Sequence, residues 1–207
     1  MNEYILTGGK PLTEATAAMI LIHGRGASAA SIMELGTLLA GDQFALLAPQ
    51  AANNTWYPYS FLAPLANNEP YLSTALQTVA DLVTQVEAAG IPASSIILAG
   101  FSQGACLVSE FAARNARCYG GLLIFSGGLI GPPGTPRDYP GSLEGTAVFI
   151  GCSDVDPHIP LARVHETTEV LTALGAQVNE KIYPGMAHTI IQDELDQAQK
   201  IVDAGGN

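Results

Sequence analysis

Five short runs of this chain are continuously apolar rather than alternating: AAMILI (17–22), FALLAP (44–49), SIILAG (95–100), GLLIF (121–125) and AVFIG (147–151). Bounded by Gly or Pro, such runs read as strands covered on both faces, the condition of a parallel sheet. AQVNEKIYP (176–184) is more mixed and belongs nearer an edge, and YILTGG (4–9) is a possible first strand turning through Gly8 and Gly9. Between the runs, apolar residues recur at helical spacing. Leu72, Leu76, Val79, Leu82, Val83 and Val86 share one face; so do Leu161, Val164, Leu171 and Leu174, and Ile191, Leu195, Ala198 and Val202. Ser31-Ile32-Met33-Glu34 fits a capping box near the start of a further helix. Strand and helix alternate from end to end. That pattern specifies an α/β fold with a mostly parallel central sheet and helices on both faces. At 207 residues, without linker or repeat, residues 1–207 are expected to form one domain.

Hydrophobic residues make up 48% of the chain and charged residues 13%, the reverse of the balance that disorder requires. The net charge of −11 repels phosphate backbones and anionic lipid surfaces, so neither nucleic acid nor a stable membrane association is expected. Cys106, Cys118 and Cys152 are an odd, unpaired set without metal-ligand spacing, which points to a reducing compartment. Cys106 lies in a helical pattern and reads as a small core residue. MNEYILTGGK has neither the basic start nor the long apolar segment of a signal peptide. A cytoplasmic monomer or homodimer is the expectation.

Residues 51–71 stand apart. They hold Trp56, Tyr57, Tyr59, Phe61 and Tyr71, five of the fourteen aromatic residues (6 Phe, 7 Tyr and 1 Trp). Pro58, Pro64 and Pro70 argue against regular structure there. A long aromatic loop in a compact domain is pinned to the core by its rings, or forms a wall facing a ligand, or does both. Trp56, Tyr57 and Phe61 are the substrate-binding candidates within it, with Met186 beyond it.

The sharpest chemical signal is SIILAGFSQGACLVSEFAARN (95–115). An apolar strand ends at Gly100, Gly-Phe-Ser-Gln-Gly follows, and a helical pattern begins. This is G-x-S-x-G in strand–turn–helix context, which thrusts Ser102 out at the head of a helix. A serine hydroxyl needs a base. Of the four histidines, His188 in IYPGMAHTI follows the last strand, while His165 falls in a polar helical stretch. In a doubly wound sheet the loops leaving strand C-termini converge on one edge. Asp154 and Asp156, in GCSDVDPHIP (151–160), reach that edge too, and either could serve as the acid. The order Ser…Asp…His then matches a catalytic triad. An oxyanion site needs two backbone N–H groups. Gln103, after the serine, supplies one. Arg25 in HGRGAS (23–28) is the candidate for the other, with its side chain read as a surface cation.

Together LIHGRGAS, GFSQGA, GCSDVDPHIP and YPGMAH resemble the phospholipase/carboxylesterase family of α/β-hydrolases, which includes bacterial carboxylesterases and acyl-protein thioesterases. The motifs run in order from residue 21 to 189. In that family the acid lies in a Gly- and Asp-bearing segment, directly before a Pro or similar residue, and on this chain that resemblance selects Asp156, with Pro160 trailing. It implies a single-domain α/β-hydrolase fold and a Ser102–His188–Asp156 triad acting on a small-molecule ester, with no cofactor and no metal. Short- to medium-chain esters are the expected substrates, with thioesters or lysophospholipids as the alternative. A ligand-binding homologue without chemistry is the reading from another class. Arg25 stands where eukaryotic thioesterase members tend to carry an apolar residue, and the 51–71 loop is this chain's own version.

Overall fold

The computed structural model describes residues 4–205, so the first three residues of MNEYILTGGK and the last two of the chain lie outside it. Seven strands form one sheet: β1 (Ile5–Gly9), β2 (Ala17–Ile22), β3 (Phe44–Pro49), β4 (Ile96–Phe101), β5 (Gly121–Phe125), β6 (Ala147–Ser153) and β7 (Gln177–Tyr183). Their order is β1-β3-β2-β4-β5-β6-β7. β1 pairs antiparallel with β3, and every other neighbouring pair is parallel. The continuous runs are β2 to β6, buried along almost their whole length, and the mixed segment is the half-exposed edge strand β7. The α/β expectation therefore holds.

The helices are α1 (Ala29–Leu39), α2 (Leu65–Asn68), α3 (Tyr71–Ala88), α4 (Gln103–Arg114), α5 (Leu161–Ala173) and α6 (Gln192–Gly205). They divide the core in two. Side chains of α3, α4 and α5 pack on one face of the sheet with Ile20, Leu98 and Ile150. Those of α1 and α6 pack on the other with Met19, Leu21 and Phe149. β2 leads to α1 on one face, and its neighbour β4 leads to α4 on the other. Loops leaving the C-terminal ends of β2 and β4 therefore diverge and leave a crevice between them.

Two expectations need correction. α1 begins one turn earlier than the Ser31–Glu34 pattern implied: Ser28 is the N-cap, and its Oγ accepts the Ser31 N–H while Ser31 Oγ accepts the Ser28 N–H. A Ser at the third helical position closes the box as Glu would. Strand–helix alternation also fails twice: residues 10–16 join β1 to β2 with no helix, and residues 126–146 cross from β5 to β6 with none. GGLIGPPGTP (127–136) supplies too many Gly and Pro residues for one. The first part of this connection is buried, so its backbone needs partners. The buried Arg163 donates to Leu129 O and Gly131 O, Leu129 N–H donates to Thr167 Oγ1, and Ile130 N–H donates to Glu110. Among the described residues no helix is long and apolar enough to cross a membrane.

Candidate active site

β4 delivers Ser102 to the crevice through a strained turn. Its φ of 54° and ψ of −119° are unusual for a residue with a side chain. The two flanking glycines are sterically required. A Cβ on Gly104 would collide with Ile22 O and stand 2.7 Å from His23 O; one on Gly100 would stand 2.5 Å from the Gly104 carbonyl. The G-x-S-x-G pattern thus records close packing of the head of α4 against β2 and β4. The strain is held by ordinary bonds, with Ser102 N–H donating to Phe125 O at 2.9 Å and Cys106 N–H to Ser102 O at 3.0 Å.

His188, on the loop between β7 and α6, lies 2.9 Å from Ser102 Oγ through Nε2 and 2.7 Å from Asp156 Oδ2 through Nδ1. The other oxygen of Asp156 accepts the N–H groups of His158 and Ile159 at 2.8 and 3.0 Å. Burial pushes the Asp156 carboxyl up, but the bond to His188 and the two amides outweigh it and hold it below its ordinary range. An ionised carboxylate only accepts, so Nδ1 carries the imidazole proton and Nε2 accepts from Ser102. Phe101 and His158 flank the His188 ring, each with its centroid 4.9 Å away. Asp154 stands apart: its Oδ1 accepts the N–H of Gly185 at 2.8 Å, bracing the His188 loop from outside.

These groups open into a cavity of about 610 Å³. Tyr57 and Phe61 line it as expected, together with Tyr59, Phe101, His158 and Ile159, which the sequence reading did not select. His158 and Ile159 had a legible signal in D-P-H-I-P, because the residues that cap the acid must lie beside it. Trp56 and Met186 do not line the cavity. Trp56 is buried with its Nε1–H donated to His23 O at 2.8 Å and its ring 5.0 Å from the His23 ring, so it pins the loop and does not face the cavity at Ser102. Met186 lies on the outer part of the His188 loop, where its N–H turns back to Tyr183 O. The remaining loop is irregular apart from a single 3-10 turn (Ala52–Asn54) and α2.

Arg25 is exposed, as expected of a surface cation, but its side chain is also held by the aromatic loop. Its guanidinium donates to Thr55 Oγ1, Tyr57 O, Pro58 O and Tyr59 O at 2.8 to 3.0 Å. His23, fully buried, is held neutral by burial, which lowers its pKa against the opposing bond to Gly24 O. Its Nδ1–H donates to that oxygen at 2.8 Å and its Nε2 accepts the Ala51 N–H at 3.1 Å. Cys106 is buried at the cavity floor, where burial pushes its thiol up to about 12 and keeps it protonated.

A seven-stranded sheet with helices on both faces and a strained serine elbow between diverging loops defines an α/β-hydrolase. Residues 9–204 match the phospholipase/carboxylesterase family model, and the chain belongs to that family. A phospholipase/carboxylesterase from Dyadobacter fermentans of known crystal structure is 46% identical, with a TM-score of 0.92 over 96% of this chain and 95% of that one. Acyl-protein thioesterase 1 of Debaryomyces hansenii is 25% identical over 91% of each chain. Acyl-protein thioesterase 1 of Gibberella zeae is 31% identical over 58% of this chain, and the match spans about half (52%) of that relative. The carboxylesterase of Bacillus cereus, 17% identical with a TM-score of 0.77, shares the fold.

Proposed function

We propose that this hydrolase-family protein is a serine carboxylesterase that cleaves short- to medium-chain esters of small molecules through an acyl-enzyme. One observation carries the reading: the series Ser102–His188–Asp156, bonded at 2.9 and 2.7 Å, ends with its serine in a cavity. Ser102 Oγ attacks the ester carbonyl as His188 Nε2 takes its proton, and Asp156 holds the imidazole and stabilises the cation formed. The carbonyl oxygen gains the negative charge, and the N–H groups of Arg25 and Gln103 receive it. Collapse expels the alcohol, protonated by His188. Water, deprotonated by the same imidazole, then attacks the acyl-enzyme, and collapse of the second intermediate returns the proton to Ser102. The scheme needs no metal and no cofactor.

Among the described residues no carboxylate lines the cavity, although the chain holds 19 acidic residues, so its walls suit an uncharged ester. Tyr57 and Phe61 narrow it. Each methylene admitted to an apolar pocket contributes about 0.8 kcal/mol, and the gain ends when the pocket is full. The names of the acyl-protein thioesterase relatives favour a second reading, thioester hydrolysis by the same groups. Matched p-nitrophenyl esters and acyl thioesters from C2 to C16 separate the two. The expected result is a maximum in kcat/KM at about C2 to C8, with esters ahead of thioesters of equal length. A steady rise to C16, or faster thioester cleavage, overturns the ester assignment.

A further inference from the structure

We propose that residues 54–59 form a rigid template that fixes the two oxyanion-binding amides, and that the side chains of Arg25 and Gln103 are positioning residues for their own backbones. The proposal rests on the acyl-transfer reading of the site. Arg25 and Gln103 belong to different loops, one after β2 and one at the head of α4, so nothing in either loop alone sets the distance between their amides. Their side chains nevertheless grip the same short stretch. The Arg25 Nη1 group donates to Thr55 Oγ1 at 2.9 Å and Pro58 O at 3.0 Å; its Nη2 group donates to Tyr57 O at 2.9 Å and Tyr59 O at 2.8 Å. Gln103 Oε1 accepts the Trp56 N–H at 3.0 Å and lies 3.3 Å from Thr55 Oγ1, while its Nε2 donates to Tyr57 O at 2.9 Å. One carbonyl, Tyr57 O, therefore ties both loops together.

The backbone repeats the connection. Gly26 N–H donates to Asn54 O at 2.7 Å, and Trp56 Nε1–H donates to His23 O at 2.8 Å, so the stretch is bonded on either side of Arg25. Among the described residues Arg25 makes no ion pair, and all four of its Nη hydrogens are spent within residues 55–59. Arg25 is exposed, yet its planar fork closes on four oxygens of one loop and fixes an orientation that the point charge of a lysine cannot reproduce. Oxyanion donors work only where the developing charge will be, and a misplacement of about 1 Å costs about a hundredfold. The template thus converts the grip of two side chains into control over where the charge is received.

The test uses Arg25→Lys, Gln103→Glu and Thr55→Val in the full chain, with p-nitrophenyl butyrate as substrate and an alkyl trifluoromethyl ketone as probe of the tetrahedral oxyanion. Arg25→Lys keeps charge and loses the fork; Gln103→Glu loses the donor to Tyr57 O; Thr55→Val removes a shared hydroxyl and leaves both amide-bearing residues intact. The expected result is a fall in kcat of about tenfold to a hundredfold for the first two, and a smaller fall for the third. KM changes little, and ketone affinity drops in proportion to kcat/KM. A merely structural role would lower the melting temperature without that proportionality. Wild-type kcat and ketone affinity in Arg25→Lys and Gln103→Glu would overturn the proposal, as would losses confined to KM. Should a variant fail to fold, Thr55→Val still decides. If the wild-type protein hydrolyses no ester and forms no ketone adduct, it is the assignment of the site that fails.

Discussion

Asp154 and Asp156 stand two positions apart, and the donors their oxygens meet separate them. Asp156 spends one oxygen on His188 and the other on two backbone amides, with its side chain wholly buried. Asp154 is exposed and holds a single amide, that of Gly185. Asp156→Asn keeps the shape but presents an amide where Nδ1–H needs an acceptor, so kcat should fall by about four orders of magnitude. Asp154→Asn can still accept from Gly185 and should cost about 0.5 kcal/mol or less, with turnover nearly intact. Kinetics with one p-nitrophenyl ester and thermal melts of both variants check this, and exchanged behaviour would identify Asp154 as the acid. Only proximity to a strand end was legible for either aspartate from the residues themselves. The amide donors of His158 and Ile159 distinguish them, and that distinction arises from how the turn folds.

Across residues 51–71, aromatic density marked the element as special, but density carries no direction. Which ring faces the cavity depends on partners far away in sequence. Trp56 is turned to His23 and Tyr57 is held over the cavity by carbonyl contacts to Arg25 and Gln103, at separations of 32 to 46 residues. Periodicity cannot report contacts of that kind. The strands and long helices were legible because each is a local pattern of burial, and the serine elbow because its glycines mark a close backbone approach. The buried connection at 127–131 was not, since its order comes from Arg163 and Thr167, far along the chain. Truncating the two rings separates wall from pin. Phe61→Ala should move the acyl-length optimum toward longer chains, because it opens the cavity. Trp56→Ala should leave the optimum where it is and destabilise the fold by about 3–5 kcal/mol, through lost packing and the lost bond to His23 O. Acyl-series kinetics beside denaturant melts read both outcomes, and an unchanged profile in Phe61→Ala would remove that ring from the wall.

At the scale of the whole molecule, α6 packs against β6 through a buried carboxyl group. Glu194 in its first turn is fully buried, with Oε2 accepting the Ile191 N–H at 2.9 Å and Oε1 unpartnered. Oε1 occupies the space where a Cβ on Gly151 would stand, which explains the glycine that opens GCSDVDPHIP. Burial pushes the Glu194 carboxyl up from 4.5 to about 7. The folded state therefore holds its proton to higher pH than the unfolded chain. Stability attributable to this group is fully present below pH 4.5, falls as pH rises, and is lost above about pH 7. Relative to the wild-type protein, Glu194→Gln should gain up to about 3 kcal/mol between pH 5 and pH 8, less what solvent screening removes. Urea melts across that range measure the gain, and a constant difference would show that Glu194 does not titrate there. The proposed chemistry stands on Ser102. Its most direct test is turnover of p-nitrophenyl butyrate by the wild-type protein and by Ser102→Ala of matched melting temperature. A loss on the order of a million-fold is predicted. Retention of more than about a hundredth of wild-type turnover, against the much larger loss expected on removing a triad nucleophile, would contradict it.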